Sequence, residues 1–232
     1  MNVSDAIKES CDVFFYEISK KLGIDKIAAV AKDFGLGQTF EIYMPNQKKG
    51  IVPNKKWKKN KIGESWYPGE TLIAGIGQGF VLTNPLQLAV MTSIIASDGN
   101  KVEPTIIRTS NQDFKTSKKY SREIKIIKKA MFKVVNENKG TAFKSRLENI
   151  KFSGKTGTSQ VKGITLSERE SDDFRKKEQE WKNRDHALFV GYMPHDDPKF
   201  SISVIIEHGG SGASTAAPIA KQMFNYINKL EL

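Results

Sequence analysis

Lysine, threonine and glycine stand side by side in Ser153-Gly154-Lys155-Thr156-Gly157-Thr158-Ser159, a segment with the pattern of a strand. Lys155 supplies a cation, Thr156 supplies a hydroxyl donor, and Gly157 leaves a patch without a side chain. Such a segment can bind a carboxylate and lets a second backbone lie against the strand edge. On its own, a polar edge strand whose lysine discourages further pairing is the simpler interpretation.

A second candidate is the segment Ser10-Cys11-Asp12, which interrupts helical sequence near the N-terminal end. Taken alone it reads as a helix cap, in which the Asp12 carboxylate accepts N–H groups of a helix that begins at Val13. Together, the two segments are more informative than either segment alone. Ser-x-Asn/Asp followed by Lys-Thr/Ser-Gly, in that chain order, is two thirds of the signature of penicillin-binding proteins and serine β-lactamases.

The chain resembles the C-terminal part of the transpeptidase domain of class B penicillin-binding proteins, in the branch that elongates rod-shaped cells. The resemblance runs nearly end to end through short blocks. In chain order these are Ser10 to Tyr16, Phe34-Gly35-Leu36-Gly37, Trp66 to Thr71, Gly75-Ile76-Gly77-Gln78-Gly79, Thr83 to Gln87, Gly140-Thr141-Ala142, Ser153 to Val161, and Glu207 to Gly212. The Ser-x-Asp form and Trp66-Tyr67-Pro68-Gly69 are similar to that branch.

The resemblance implies catalytic roles for Ser10, Asp12 and Lys155. Ser10 would relay a proton between the reacting amine and the catalytic lysines, and Lys155 would keep the Ser10 hydroxyl polarised. Asp12 would face the peptide substrate. It departs from the Asn of the wider family, because a carboxylate only accepts hydrogen bonds whereas an amide also donates them.

The resemblance also implies a substrate and β-lactam site at Thr156, Gly157 and Thr158. The Thr156 hydroxyl would bond the terminal carboxylate of the donor peptide, or its β-lactam mimic. Gly157 would leave space for the substrate, and the backbone N–H of Thr158 would form half of the oxyanion hole.

The family's nucleophile motif, Ser-x-x-Lys, is not found before Ser10, which only nine residues precede. The literal match Ser159-Gln160-Val161-Lys162 lies on the predicted strand, where the two side chains cannot take the one-turn helical spacing. We therefore expect no nucleophile in this chain and no acyl-enzyme formed by it alone. The serine would come from a missing N-terminal part of the same domain or from a separately encoded piece.

The function that the resemblance implies is that of a peptidoglycan D,D-transpeptidase, which cross-links stem peptides by acyl transfer and is inhibited by β-lactams. It implies a SEDS-type glycosyltransferase as a partner, a location at the periplasmic face of the inner membrane, and no cofactor. The three histidines have no metal-ligand spacing and Cys11 is the sole cysteine, so we also expect no metal site.

The composition leaves a second interpretation open. Lys and Arg number 37 against 26 Asp and Glu, which gives a net charge of +11. A lysine cluster over residues 48–61 would suit a non-catalytic module that binds an anionic polymer. Only six of the basic residues are Arg, which argues against sequence-specific nucleic-acid recognition, and no nucleic-acid partner is expected.

The elements that must position these groups follow an α+β order. Helices are predicted over residues 4–34, with Asp25 capping the second run, and over 85–96, 122–137 and 215–230. Strands are predicted over 104–108, 152–161, 187–193 and 200–208, an exposed irregular segment over 35–79, and a charged segment over 162–185.

We expect a partial transpeptidase domain of the β-lactamase/transpeptidase type, with an antiparallel sheet packed between helices. Residues 1–150 would form its mainly helical part, and residues 151–232 would carry the sheet strands and the C-terminal helix. The first two strands and the nucleophile helix would be missing, which leaves an open sheet edge. The isolated chain should then aggregate or be marginally folded, and a sharp, reversible melt of a monomer would contradict this.

Overall fold

The structure is a computed structural model that describes residues 1–107, 119–162 and 180–230. Its α-helices are α1 (Val3–Glu9), α2 (Asp12–Leu22), α3 (Ile24–Asp33), α4 (Lys55–Ile62), α5 (Pro68–Gly75), α6 (Pro85–Ala96), α7 (Ser121–Asn136) and α8 (Ala217–Leu230). The strands are β1 (Ser153–Ser159), β2 (His186–Met193) and β3 (Phe200–Ile206). No helix within these described ranges has the length and apolar character to cross a membrane.

The three strands form one antiparallel sheet in the order β1-β2-β3. Successive side chains of β2 point to opposite faces, so that Phe189 and Tyr192 lie on different sides. Phe189 packs with Phe152 and with Phe224 of α8 in the larger core cluster. On the other face, Tyr192 packs with Met131 of α7 in a second cluster. The predicted α+β class, with its antiparallel sheet packed between helices, is confirmed.

The predicted helical region over residues 4–34 is three helices, separated at Ser10 and Cys11 and again at Gly23. Asp25 is not the predicted cap, because Gly23, with φ of +76°, ends α2 and α3 begins at Ile24. The Asp25 carboxylate instead accepts a hydrogen bond from the Lys55 backbone N–H at 3.2 Å.

The helix predicted after Asn84 is confirmed. The Asn84 side chain accepts a hydrogen bond from the Gln87 backbone N–H at 2.9 Å, and Pro85 is the first helical residue. This arrangement satisfies one of the free donors at the helix start, where proline's fixed φ is also favourable.

The predicted strand over residues 104–108 is wrong for the four residues that the structure describes, and Arg108 lies outside the described residues. The Thr105 hydroxyl accepts a hydrogen bond from the Ile107 N–H at 3.2 Å and donates one to the Ile107 carbonyl at 2.8 Å. This local turn uses backbone groups that a strand would offer to a neighbour. Most of the charged segment predicted over 162–185 lies outside the described residues as well.

The prediction of an irregular segment over residues 35–79 is wrong for α4 and α5. The Asn54 side chain caps α4 by accepting from the Trp57 N–H at 2.7 Å. Pro68 is the first residue of α5, and the Glu70 carboxylate accepts from the Tyr67 N–H at 2.8 Å. Lysines have good helix propensity, so a lysine-rich stretch with a cap at its start folds as a short helix.

Lys58 does not belong to an exposed lysine surface, because only 2% of its side chain is accessible. Its ammonium forms a hydrogen-bonded ion pair with Glu70, lies 3.5 Å from a Glu64 carboxylate oxygen, and sits over the Tyr67 ring at 4.3 Å. Burial lowers the pKa of Lys58, but the hydrogen bonds and charges of Glu70 and Glu64 together outweigh this effect, and the net direction is upward. This pair joins α4 to α5.

Gly212 allows the chain before α8 to lie directly on the sheet. A Cβ at this position would lie 2.2 Å from the Gly157 carbonyl oxygen and 2.4 Å from that of Leu188. Both neighbours are backbone atoms of paired strands, so neither can move aside independently. The close approach therefore fixes where β1 lies relative to the start of α8.

Replacing Gly212 by alanine should lower the free energy of unfolding by about 1–3 kcal/mol, because the added methyl group overpacks a backbone contact. Denaturant titration measures the change in a protein that joins this chain to a Ser-x-x-Lys segment, because the isolated chain is expected to be marginally folded. Gly69→Ala is the matched control, since nothing lies within 4 Å of a Cβ at Gly69. Equal stability of the two variants would contradict this description of Gly212.

Candidate active site

The turn between α1 and α2 presents Ser10 on the surface. Ser10 has φ of 56° and ψ of 53°, a left-handed conformation that is uncommon for residues other than glycine. The turn is closed by hydrogen bonds from the Ser10 N–H to the Ile7 carbonyl at 3.3 Å and from the Cys11 N–H to the Ala6 carbonyl at 2.9 Å. Ala6 is fully buried, so the turn is anchored in the core.

Asp12 is the first residue of α2 and not its cap. The residue before the helix is Cys11, and the Cys11 side chain makes no capping hydrogen bond. The interpretation of Ser10-Cys11-Asp12 as a simple cap is therefore wrong. A carboxylate in the first helical turn is still favourable next to the positive end of the helix dipole.

Lys155 on β1 reaches across to this turn. Its Nζ donates to Ser10 Oγ at 2.9 Å and to the Thr156 carbonyl at 2.8 Å. The helical turn and the Lys-Thr-Gly strand therefore meet at one point. This contact joins two segments that the sequence separates by most of the chain.

The environment of Lys155 makes its ammonium unusually acidic. Burial lowers the pKa of Lys155 from 10.5 to about 8, and the charge of Asp12 opposes this by raising it. The lysine is therefore mostly protonated at neutral pH and donates to Ser10, and it is half deprotonated near pH 8. A lysine of this pKa that is hydrogen-bonded to a serine hydroxyl is a candidate for proton transfer.

Thr156 is held by Thr141, a residue for which no role in the site was predicted. Its hydroxyl lies 2.7 Å from that of Thr141, and the Thr141 backbone N–H donates to the Lys8 carbonyl at 3.2 Å. Thr141 thus connects α1, which precedes Ser10, to β1. Its presence in the block Gly140-Thr141-Ala142 is the only sequence signal that pointed to it.

Thr158 presents backbone groups along the outer edge of β1. Its carbonyl accepts a hydrogen bond from Gln78 Nε2 at 2.8 Å, on the side away from β2. In an antiparallel strand the N–H and C=O of one residue point to the same side, so the Thr158 N–H also faces this edge. The Thr158 hydroxyl accepts from the Gly212 N–H at 3.4 Å.

The literal Ser-x-x-Lys match does not have the geometry of a nucleophile and its base. Ser159 is the last residue of β1, and residues 160–162 follow it outside any helix. The one-turn spacing that brings a lysine to a serine on a helix is therefore not available to Ser159 and Lys162.

Comparisons with known proteins place the chain in one family. Residues 1–225 match the family "Penicillin binding protein transpeptidase domain". The chain is 33% identical over 239 residues to the peptidoglycan D,D-transpeptidase MrdA of Haemophilus influenzae, covering 97% of this chain and 36% of that protein. For MrdA of Acinetobacter baumannii, the identity is 35% over 237 residues, with 97% and 34% covered. The chain thus spans about a third of the length of these relatives.

A solved structure shares the fold. The complex of penicillin-binding protein PBP2 with MreC from Helicobacter pylori matches with a TM-score of 0.87 and 31% identity, over 99% of this chain and 40% of the matched one. The match over nearly the whole chain extends to the helices, the sheet and both motif segments. The chain therefore belongs to the penicillin-binding protein transpeptidase domain family.

Proposed function

We propose that this chain is part of a peptidoglycan D,D-transpeptidase, the activity named for the MrdA relatives. The observation that carries the proposal is the 2.9 Å hydrogen bond from Lys155 to Ser10, which brings the two family motifs together. The substrates would be the stem peptides of peptidoglycan. β-Lactams would bind as their mimics.

The reaction consists of two acyl transfers through a serine supplied by the Ser-x-x-Lys motif of the family. In the first, the serine oxygen attacks the carbonyl carbon between two D-alanines. The C–N bond breaks, the serine proton goes to the leaving D-alanine amine, and an ester remains. In the second, the amine of a neighbouring stem peptide attacks the ester, an amide forms, and a proton returns to the serine oxygen.

Ser10 and Lys155 would carry the proton in these steps. The protonated Lys155 donates to Ser10 Oγ, which orients the hydroxyl so that its own proton points towards the reacting amine. A lysine with a pKa near 8 can do this at neutral pH without holding its proton too tightly. Asp12 supports this state by raising the pKa of Lys155, and it would also face the substrate.

The strand edge would bind and polarise the substrate. The Thr156 hydroxyl would donate to the terminal carboxylate of the donor peptide, with the Thr141 hydroxyl at 2.7 Å fixing its direction. Gly157 leaves the edge open beside it. The outward N–H of Thr158 would donate to the carbonyl oxygen as it becomes negative, a contribution that typically changes rates by about 10²- to 10³-fold.

The proposed setting is the periplasmic face of the inner membrane, within the machinery of cell elongation. The support is the similarity to MrdA and to a PBP2 that was solved in complex with MreC. A SEDS-type glycosyltransferase is the proposed partner that supplies the glycan strands to be cross-linked.

Labelled penicillin tests the proposed function in a protein that joins this chain to the Ser-x-x-Lys segment of its family. We expect covalent labelling, and we expect Lys155→Gln to slow it by about 100-fold or more because the proton donor to Ser10 is lost. Lys59→Gln, at an exposed lysine of α4, is the charge-matched control and should label normally. Absence of labelling, with salt-sensitive binding to an anionic polymer that Lys59→Gln weakens, would support the basic binding module instead.

The pH profile of acylation tests the role of Asp12. The rate should fall above about pH 8, where Lys155 loses its proton. Because the Asp12 charge raises the pKa of Lys155, Asp12→Asn should move this fall to lower pH. Lys155→Arg keeps its charge at high pH and should remove the fall, at a lower maximal rate. If the rates of the unsubstituted protein, Asp12→Asn and Lys155→Arg all fall at the same alkaline pH, Lys155 is not the group whose deprotonation lowers the rate.

A further inference from the structure

The loop Gly77-Gln78-Gly79 touches the strand edge next to the candidate site. Gln78 Nε2 donates to the Thr158 carbonyl at 2.8 Å, and Gln78 Oε1 accepts from the Gln160 N–H at 3.3 Å. One side-chain amide thus satisfies a backbone acceptor and a backbone donor of the same strand, as the peptide group of a neighbouring strand would. The loop lies in the block Gly75-Ile76-Gly77-Gln78-Gly79 of the family resemblance, which implied no role for Gln78.

The base of this loop is tied to a helix. The Gly77 N–H donates to the Ala74 carbonyl at 3.0 Å and the Gln78 N–H donates to the Ile73 carbonyl at 3.1 Å, so the loop continues the C-terminal end of α5. Gly77 and Gly79 have φ of +79° and +71°, which turn the chain sharply on both sides of Gln78. The amide is therefore presented from a fixed turn.

Helix α5 is in turn packed against the helix that carries Asp12. A Cβ at Gly75 would lie 1.8 Å from Ser19 Oγ of α2, so the two helices are in direct contact. On its other side α5 is joined to α4 by the ion pair of Glu70 with Lys58. Gln78 thus connects the helices to β1 at a further point, beyond the contacts of Lys155 with Ser10 and of Thr156 with Thr141.

The position of the contact along β1 matters for the chemistry. The Thr158 carbonyl and the Gln160 N–H, which Gln78 binds, belong to the two peptide units that follow Thr158. The Thr158 N–H points to the same edge of β1. Fixing the Thr158 carbonyl and the Gln160 N–H restricts rotation of this end of the strand. The Thr158 N–H, which would donate to the reacting carbonyl oxygen, belongs to the peptide unit just before these two.

We propose that Gln78 is a positioning residue for acyl transfer, whose amide clamps the outer edge of β1 and so orients the oxyanion-binding N–H of Thr158. This inference rests on the proposed function. Gln78 acts through the strand and need not touch the reacting atoms. Its loss should therefore affect the chemical step more than the binding of the substrate.

Two variants of Gln78 distinguish a role through its two hydrogen bonds from a role in packing alone. Gln78→Leu removes both hydrogen bonds, and Gln78→Glu keeps the acceptor for the Gln160 N–H but turns a carboxylate oxygen towards the Thr158 carbonyl. In the protein that carries the nucleophile motif, both should lower the maximal rate of acylation by labelled penicillin by about 10- to 100-fold. The penicillin concentration for half-maximal rate should change much less.

The pH dependence of Gln78→Glu gives a signature that lost packing would not produce. A protonated glutamic acid has an O–H that can again donate to the Thr158 carbonyl. The rate of Gln78→Glu relative to Gln78→Leu should therefore rise as the pH falls through the range in which the carboxyl is protonated. Gln222→Leu, on the exposed side of α8, is the matched control and should behave as the unsubstituted protein.

Amide hydrogen exchange tests the hydrogen bond between the Gln160 N–H and Gln78 without relying on activity. Exchange at the Gln160 N–H should be faster in Gln78→Leu than in the unsubstituted protein and unchanged in Gln222→Leu. Unchanged exchange, or acylation of Gln78→Leu at the full rate, would overturn the clamp. If the unsubstituted protein is not labelled at all, the proposed function fails, and the exchange rate at Gln160 alone decides whether Gln78 holds the strand.

Discussion

The hydrogen bond from the Lys155 ammonium to the Ser10 hydroxyl connects the helical half of the molecule to its sheet. It needs a serine in a left-handed turn and a lysine whose burial lowers its pKa to about 8, and both features are unfavourable in isolation. The surrounding structure must hold them. The fully buried Ala6 anchors the turn, and the Asp12 charge partly offsets the cost of burying the ammonium.

Three further contacts keep β1 at the distance that this hydrogen bond requires. Thr141 links the strand to α1 through the Thr156 hydroxyl, and the side-chain-free Gly212 lets the chain before α8 lie against Gly157. Gln78 ties the far end of the strand to the α5 turn. These contacts tie β1 to α1, to the α5 turn and to the chain before α8, and a preorganised site for a developing negative charge requires donors that are held in place.

Local signals in the sequence predicted much of this arrangement. Apolar periodicity predicted α7 and α8, β-rich patterns predicted the three strands, and Asn84 with Pro85 marked the start of α6 correctly. The family resemblance of the two motif segments implied a contact between Ser10 and Lys155, and the two side chains are hydrogen-bonded at 2.9 Å. The helix and strand predictions share one cause, since each depends on side-chain patterns that are contained within a few neighbouring residues.

The failures have two causes, which are contacts between separate elements and one local hydroxyl contact. The lysine-rich segment looked exposed because the acids that pair with Lys58 follow it in the chain, and the strand predicted around Thr105 was lost to a local hydroxyl contact. Thr141 and Gln78 have no chemistry of their own that a sequence pattern would single out. Their roles arise only when the fold places a hydroxyl or an amide against the edge of β1.

A double-mutant cycle between Ser10 and Lys155 tests the central claim most directly. The rates of acylation by labelled penicillin are compared for Ser10→Ala, Lys155→Gln and the double variant, in a protein that carries this chain and the nucleophile motif. If the two side chains act as one hydrogen-bonded unit, the double variant will be about as slow as the slower single variant. If the losses in rate of the two single variants multiply in the double variant, the two side chains act independently and the central claim is contradicted.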